Sequence, residues 1–155
     1  MRETMHTLGA PAGDEDALGE ALPGWQPFPE VRPSLETLRA RGWQLAILSN
    51  TDSEFIDASM ARIGVPFELT IVASEIGSYK PGHRHWLQFF EETGAQRDRH
   101  VHVAQSHFHD VVPAGELGLR SVWINRYGER HEPPATRELA DLSQLPDALD
   151  ELVPA

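Results

Sequence analysis

Across residues 34 to 125, short apolar runs alternate with segments whose apolar residues recur at helical spacing, and the connections between them are short. SLETLRARG has Leu35 and Leu38 three apart, arginines toward its end and Gly42 as a stop signal, which predicts an amphipathic helix. WQLAILSN follows, an apolar run that ends abruptly in polar residues. Phe55, Ile56, Met60 and Ile63 then recur at helical spacing up to Gly64. FELTIVAS is rich in β-branched residues and reads as a strand, HWLQFFEETG as a helix ending at Gly94 and HVHVAQS as a strand. DVVPAGELG reads as a short helix and LRSVWIN as a fourth strand. The tail carries a Pro-Pro pair and then DLSQLPDALDELV, a last helix with Pro146 at its first turn. Such alternation builds βαβ units, so the fold class is α/β, a Rossmann-like parallel sheet with helices on both faces. Right-handed crossovers put all strand C-termini on one edge, where ligands bind.

Composition narrows the function classes. The 155 residues are 40% hydrophobic and 24% charged, a globular balance, and 13 basic against 24 acidic side chains give a net charge of −11. That charge opposes a nucleic acid or an anionic membrane surface at long range. No run of 18 apolar residues predicts a membrane span, and MRETMHTLGAPAGDEDALGE lacks the basic-then-apolar order of a signal peptide, so a cytoplasmic location is expected. The absence of cysteine excludes disulfides, thiol nucleophiles and Cys-bound zinc. Asp14 and Asp16 fit a solvated helix start better than a metal site. Trp25, Trp43, Trp86 and Trp123 are expected in core or half-buried positions, and Arg126 and Tyr127 in a surface loop.

Each strand runs into polar residues. The first ends in Ser49, Asn50, Thr51 and Asp52 just ahead of a helix, where unpaired N–H groups favour an anion, although Asp52 or Ser53 also suits a plain cap. The second leads through ASEIGSY to Lys80-Pro81, a lysine able to stabilise a carboxylate or substrate anion. The third gives Gln105 and Ser106, then Asp110 at the start of the next helix. His100 and His102 point to one face of that strand, which permits a metal site, although packed or solvated histidines fit better.

That order resembles the haloacid dehalogenase superfamily, and its 2-haloacid dehalogenase-like (type II) branch most of all. LAILSN with Ser49 and Asn50 is similar to the second family motif, SYKP with Lys80 to the third, and VAQSHFHDVVPAGELGLRSVWINR with Asp110 to the fourth. The resemblance implies an aspartate nucleophile that forms a covalent ester, which water then hydrolyses. It makes Lys80, Asp110 and Ser49 catalytic: Lys80 holds the nucleophile's charge, Asp110 pairs with Lys80, and Ser49 hydrogen-bonds the substrate. Asn50, Gln105, Ser106 and Trp86 are assigned to the substrate pocket. No cofactor or metal is implied: Gln105 stands where the superfamily's phosphatases carry a magnesium-ligating acidic residue, and an amide is a poor substitute on a hard cation. The dehalogenases themselves usually have a Ser at this position and an Asn two residues on, here Gln105 and His107.

The family's nucleophile motif, on a strand that lies between those carrying the second and fourth motifs, has no counterpart ahead of Ser49. Residues 1–25 therefore read as the remnant of a cap or linker and 26–155 as an incomplete core domain. The sheet should show a gap or exposed edge, which makes a homodimer a candidate assembly. The chain by itself is expected to be inactive; the alternatives are a magnesium-dependent phosphatase and a non-catalytic binding module of the same fold.

Overall fold

The computed structural model describes residues 24–154, so Asp14 and Asp16, with nearly all of the expected cap remnant, lie outside the described residues. In chain order the elements are α1 (Val31–Ala40), β1 (Ala46–Ser49), α2 (Ser53–Ile63), β2 (Leu69–Val72), the single turn α3 (Ala73–Ile76) and α4 (Arg84–Thr93). A 3-10 turn (Arg97–Arg99), β3 (Val101–Ala104), a π-helical turn (His107–Val111), α5 (Val112–Glu116), β4 (Arg120–Ile124), β5 (Arg137–Leu139) and α6 (Leu145–Leu152) complete it. The helices stop where their glycines predict. Gly64 and Gly94 take left-handed φ angles of 68° and 63°, and their N–H groups close back on the carbonyls of Met60 and Phe90. Pro146 sits in the first turn of α6, where its missing N–H costs nothing.

All strand pairings are parallel. β1 pairs with β2 from Ala46–Leu69 to Ser49–Val72, β3 pairs with β4 from Val101–Arg120 to Ala104–Trp123, and β5 adds to the far edge of β4. The strands form two sheets, ordered β1-β2 and β3-β4-β5, where the alternation alone predicts one continuous sheet. Between them lies a cavity of about 990 Å³, lined on one side by Ala46, Ile47 and Leu48 of β1 and on the other by Val101, His102 and Val103 of β3. The expected gap is therefore present. β1 is half-buried at every position whereas β4 is buried at four of its five, the difference between a strand beside a gap and a strand flanked on both sides.

The two-residue period of a strand separates the two hydrophobic clusters. Val122 and Ile124 of β4 pack with Leu35 and Leu38 of α1 and Leu145 and Leu149 of α6, and Val101 and Val103 join that face. His102, on the opposite face of β3, meets Trp86 of α4, which packs with Ala114 and Leu119. Helices thus cover both faces.

Three local readings change. Trp25 is 58% exposed, outside any core, while Trp43 is half-buried and Trp86 and Trp123 are buried as expected. Arg126 lies in the turn after β4, as expected, but is half-buried, ion-paired with Glu30 and stacked over the Phe28 ring, while Tyr127 is exposed. Finally, β5 leaves no signal in the sequence, being three residues long with Arg137 and Glu138 exposed; the open outer edge of β4 makes it a strand.

Candidate active site

The ends of β1 and β3 flank the cavity, and the three polar clusters meet there. Asn50, one residue beyond β1, clamps the backbone of Lys80: its Nδ2 donates to the Lys80 carbonyl at 2.9 Å, and its Oδ1 accepts from the Lys80 N–H at 2.6 Å. An asparagine suits this place because one amide offers both a donor and an acceptor. The clamp fixes where the lysine side chain begins.

Lys80 is buried, 9% exposed, and its Nζ donates to the Leu48 carbonyl at 2.8 Å and to Asp110 Oδ1 at 2.6 Å. An ammonium group has three protons, so one donor remains for a group in the cavity that Lys80 and Asp110 both line. Asp110 sits on the π-helical turn that follows β3, and its Oδ1 also lies 2.9 Å from His102 Nε2. Burial pushes the Asp110 carboxyl up, but the hydrogen bond with His102 and the Lys80 charge outweigh it and hold the group below its ordinary range. It is thus a carboxylate at neutral pH, matched to a buried ammonium.

The other candidates, like Asn50, do not line the cavity itself. Ser49 is half-buried, and its carbonyl accepts from His85 Nε2 at 3.0 Å. Gln105 is exposed, with its carbonyl held by the Trp123 indole N–H at 2.9 Å. Ser106 caps the π-helical turn, its Oγ accepting from the His109 N–H at 3.2 Å. Trp86 is wholly buried, so it lines no open pocket; instead its indole N–H donates to His102 Nδ1 at 3.2 Å.

His102 is the residue the sequence did not assign to this site. Its signal was available in retrospect: it is on the strand that feeds the Asp110 turn, on the face opposite Val101 and Val103. His100 stacks against Phe89 and Phe90 at ring-centroid distances of 4.8 and 5.2 Å, and burial pushes it down to about 4. Among the described residues no group of three or more His, Asp or Glu side chains is placed to hold a metal. The donor set does not fit magnesium either, because Gln105 offers an exposed amide and Asp110 Oδ1 is already shared by Lys80 and His102.

Comparison with known proteins identifies the family. Residues 18–124 match the model of a family described as haloacid dehalogenase-like hydrolase. Haloacetate dehalogenase H-2 of Moraxella sp. (strain B) is 36% identical over 124 residues, 79% of this chain and 51% of the relative. (S)-2-haloacid dehalogenase of Pseudomonas sp. (strain YL) is 32% identical over 151 residues, 95% of this chain and 61% of the relative. The structure of a HAD phosphatase from Thermococcus onnurineus superposes with a TM-score of 0.76 at 26% identity, covering 94% of this chain and 68% of that one. The chain thus spans between half and two-thirds of the length of these two curated relatives. A family match over more than half of its residues places the chain in the haloacid dehalogenase-like hydrolase family.

Proposed function

We propose that this chain supplies the lysine–aspartate part of a metal-independent hydrolytic site that acts on a small substrate through an aspartyl ester, with 2-haloacids the first class to test. The observation that carries this reading is the buried Lys80–Asp110 pair beside the cavity, with one Lys80 proton left over for a carboxylate. In this mechanism the carboxylate of an aspartate on a strand filling the cavity attacks the carbon bearing the halide. Halide leaves with the bonding electron pair, and water then cleaves the ester, regenerating the carboxylate. Lys80 orients the nucleophile and tempers its charge, and Asp110 keeps Lys80 in place. The identity to haloacid dehalogenases supports the substrate class.

Ahead of Ser49 the sequence places no aspartate directly after a four-residue apolar run. By itself the 155-residue chain is expected to release no chloride from 2-chloropropionate above the blank. Fused to an apolar strand that ends in aspartate, it is expected to release chloride with or without chelator. Chloride release by the chain alone would remove the need for that strand. The likeness to a phosphatase structure supports a second reading, magnesium-dependent phosphate-ester hydrolysis. Release of p-nitrophenol from p-nitrophenyl phosphate that requires magnesium and stops with chelator would replace the first reading by this one. If neither form turns over either substrate, a non-catalytic binding module replaces both. A homodimer that covers the open strand edges belongs with that outcome, and light scattering on the eluted protein reads it directly.

A further inference from the structure

We infer that His102 is a positioning residue for the Lys80–Asp110 pair, locked by Trp86 as the neutral imidazole protonated on Nε2. The inference rests on reading that pair as the working part of the site. An indole N–H only donates, so His102 Nδ1, 3.2 Å from Trp86 Nε1, must present its lone pair. The proton of the neutral ring is then on Nε2, 2.9 Å from Asp110 Oδ1, which accepts it. A second proton on Nδ1 would set two N–H groups against each other in a buried place, so Trp86 holds the ring uncharged. Asp110 therefore keeps its full negative charge for one cation, Lys80.

The bonds form a continuous chain: Trp86 on α4, His102 on β3, Asp110 on the π-helical turn, Lys80, then the Leu48 carbonyl on β1. It reaches from one sheet to the other beside the cavity. Asp110 is carried by a short turn, so a second bond from the rigid strand fixes the direction from which Lys80 meets it.

The test uses the ¹⁵N-labelled 155-residue protein. Long-range imidazole spectra at neutral pH, with the His102 signals identified by their loss in His102→Gln, are expected to show a protonated Nε2 and an unprotonated Nδ1. The slowly exchanging Lys80 ammonium signal is expected to persist in His102→Gln, whose side-chain N–H₂ can still donate to Asp110, and to be lost in His102→Leu, which keeps the bulk but not the donor. An Nδ1-protonated or doubly protonated ring overturns the inference. So does an ammonium signal equally persistent in His102→Leu. If His102→Leu fails to fold, the wild-type tautomer and the His102→Gln spectrum still decide. None of these readouts needs turnover, so a failed dehalogenation assay and a failed positioning role remain distinct results.

Discussion

Lys80 and Asp110 are buried side by side, with Leu48 and His102 as further partners. Burial alone would push the Asp110 carboxyl up; its bond with His102 and the Lys80 charge reverse that and hold it below its ordinary range. His100, two residues from His102 on the same face, has no such partner, and its Nε2 is buried without a hydrogen bond. Its consequence is acid sensitivity. The unfolded chain takes up a proton near 6.5, the fold only near about 4, so between those values the unfolded state binds more protons and stability falls with falling pH. The full drop is about 3 kcal/mol, with stability independent of this group above the window. Burial lowers His85 as well and adds in the same sense. Urea midpoints at pH 7.5 and 4.5 measure the loss, and His100→Leu is expected to remove most of it. An unchanged pH dependence in that variant would refute the assignment. At this scale Lys80 and Asp110 were legible through their motifs. His102 was not, because its role depends on Trp86 and Asp110 approaching from two other elements.

The elements were largely written in local chemistry. α4 has the spacing that buries Trp86 and Phe89 on one side, and a glycine where the chain must turn left-handed. Gly94 has open space around its missing Cβ, so replacing it by alanine meets no clash and isolates the backbone cost. Gly94→Ala is expected to lower stability by roughly 1–2 kcal/mol, the strain of an L-residue in that region. A thermal or urea unfolding curve within 0.3 kcal/mol of wild type would show that the helix end relaxes instead. Where sequence fell short at this scale the cause was equally local. β5 is too short for alternation to register, and the π-helical turn ahead of α5 offers only a Ser106 cap, which reads the same in front of an ordinary helix.

At the scale of the molecule, the split between β1-β2 and β3-β4-β5 dominates. β4 has a strand on each side and both faces covered; β1 has one neighbour and the cavity on its other edge. Backbone amides protected only by a two-stranded pair open with less free energy than those inside a flanked strand. Hydrogen exchange is therefore expected to be slowest in residues 120–124 and on the order of 100-fold faster in residues 46–49. Equal protection in the two strands would mean that something closes the gap in solution, and a second copy of the chain is the first occupant to look for.

The sequence by itself determined the α/β class, the order of its main helices and strands, the stop points at Gly64 and Gly94, and the three polar clusters at the strand ends, because periodicity, turn chemistry and motif spacing are local properties. Only the tertiary structure decided that the strands stand as two sheets about a cavity, that Asn50 grips a backbone thirty residues away, and that His102 and Trp86 complete the Asp110 site. These depend on which elements pack against which, and a hydrogen bond between distant residues leaves no periodic trace in the chain that makes it.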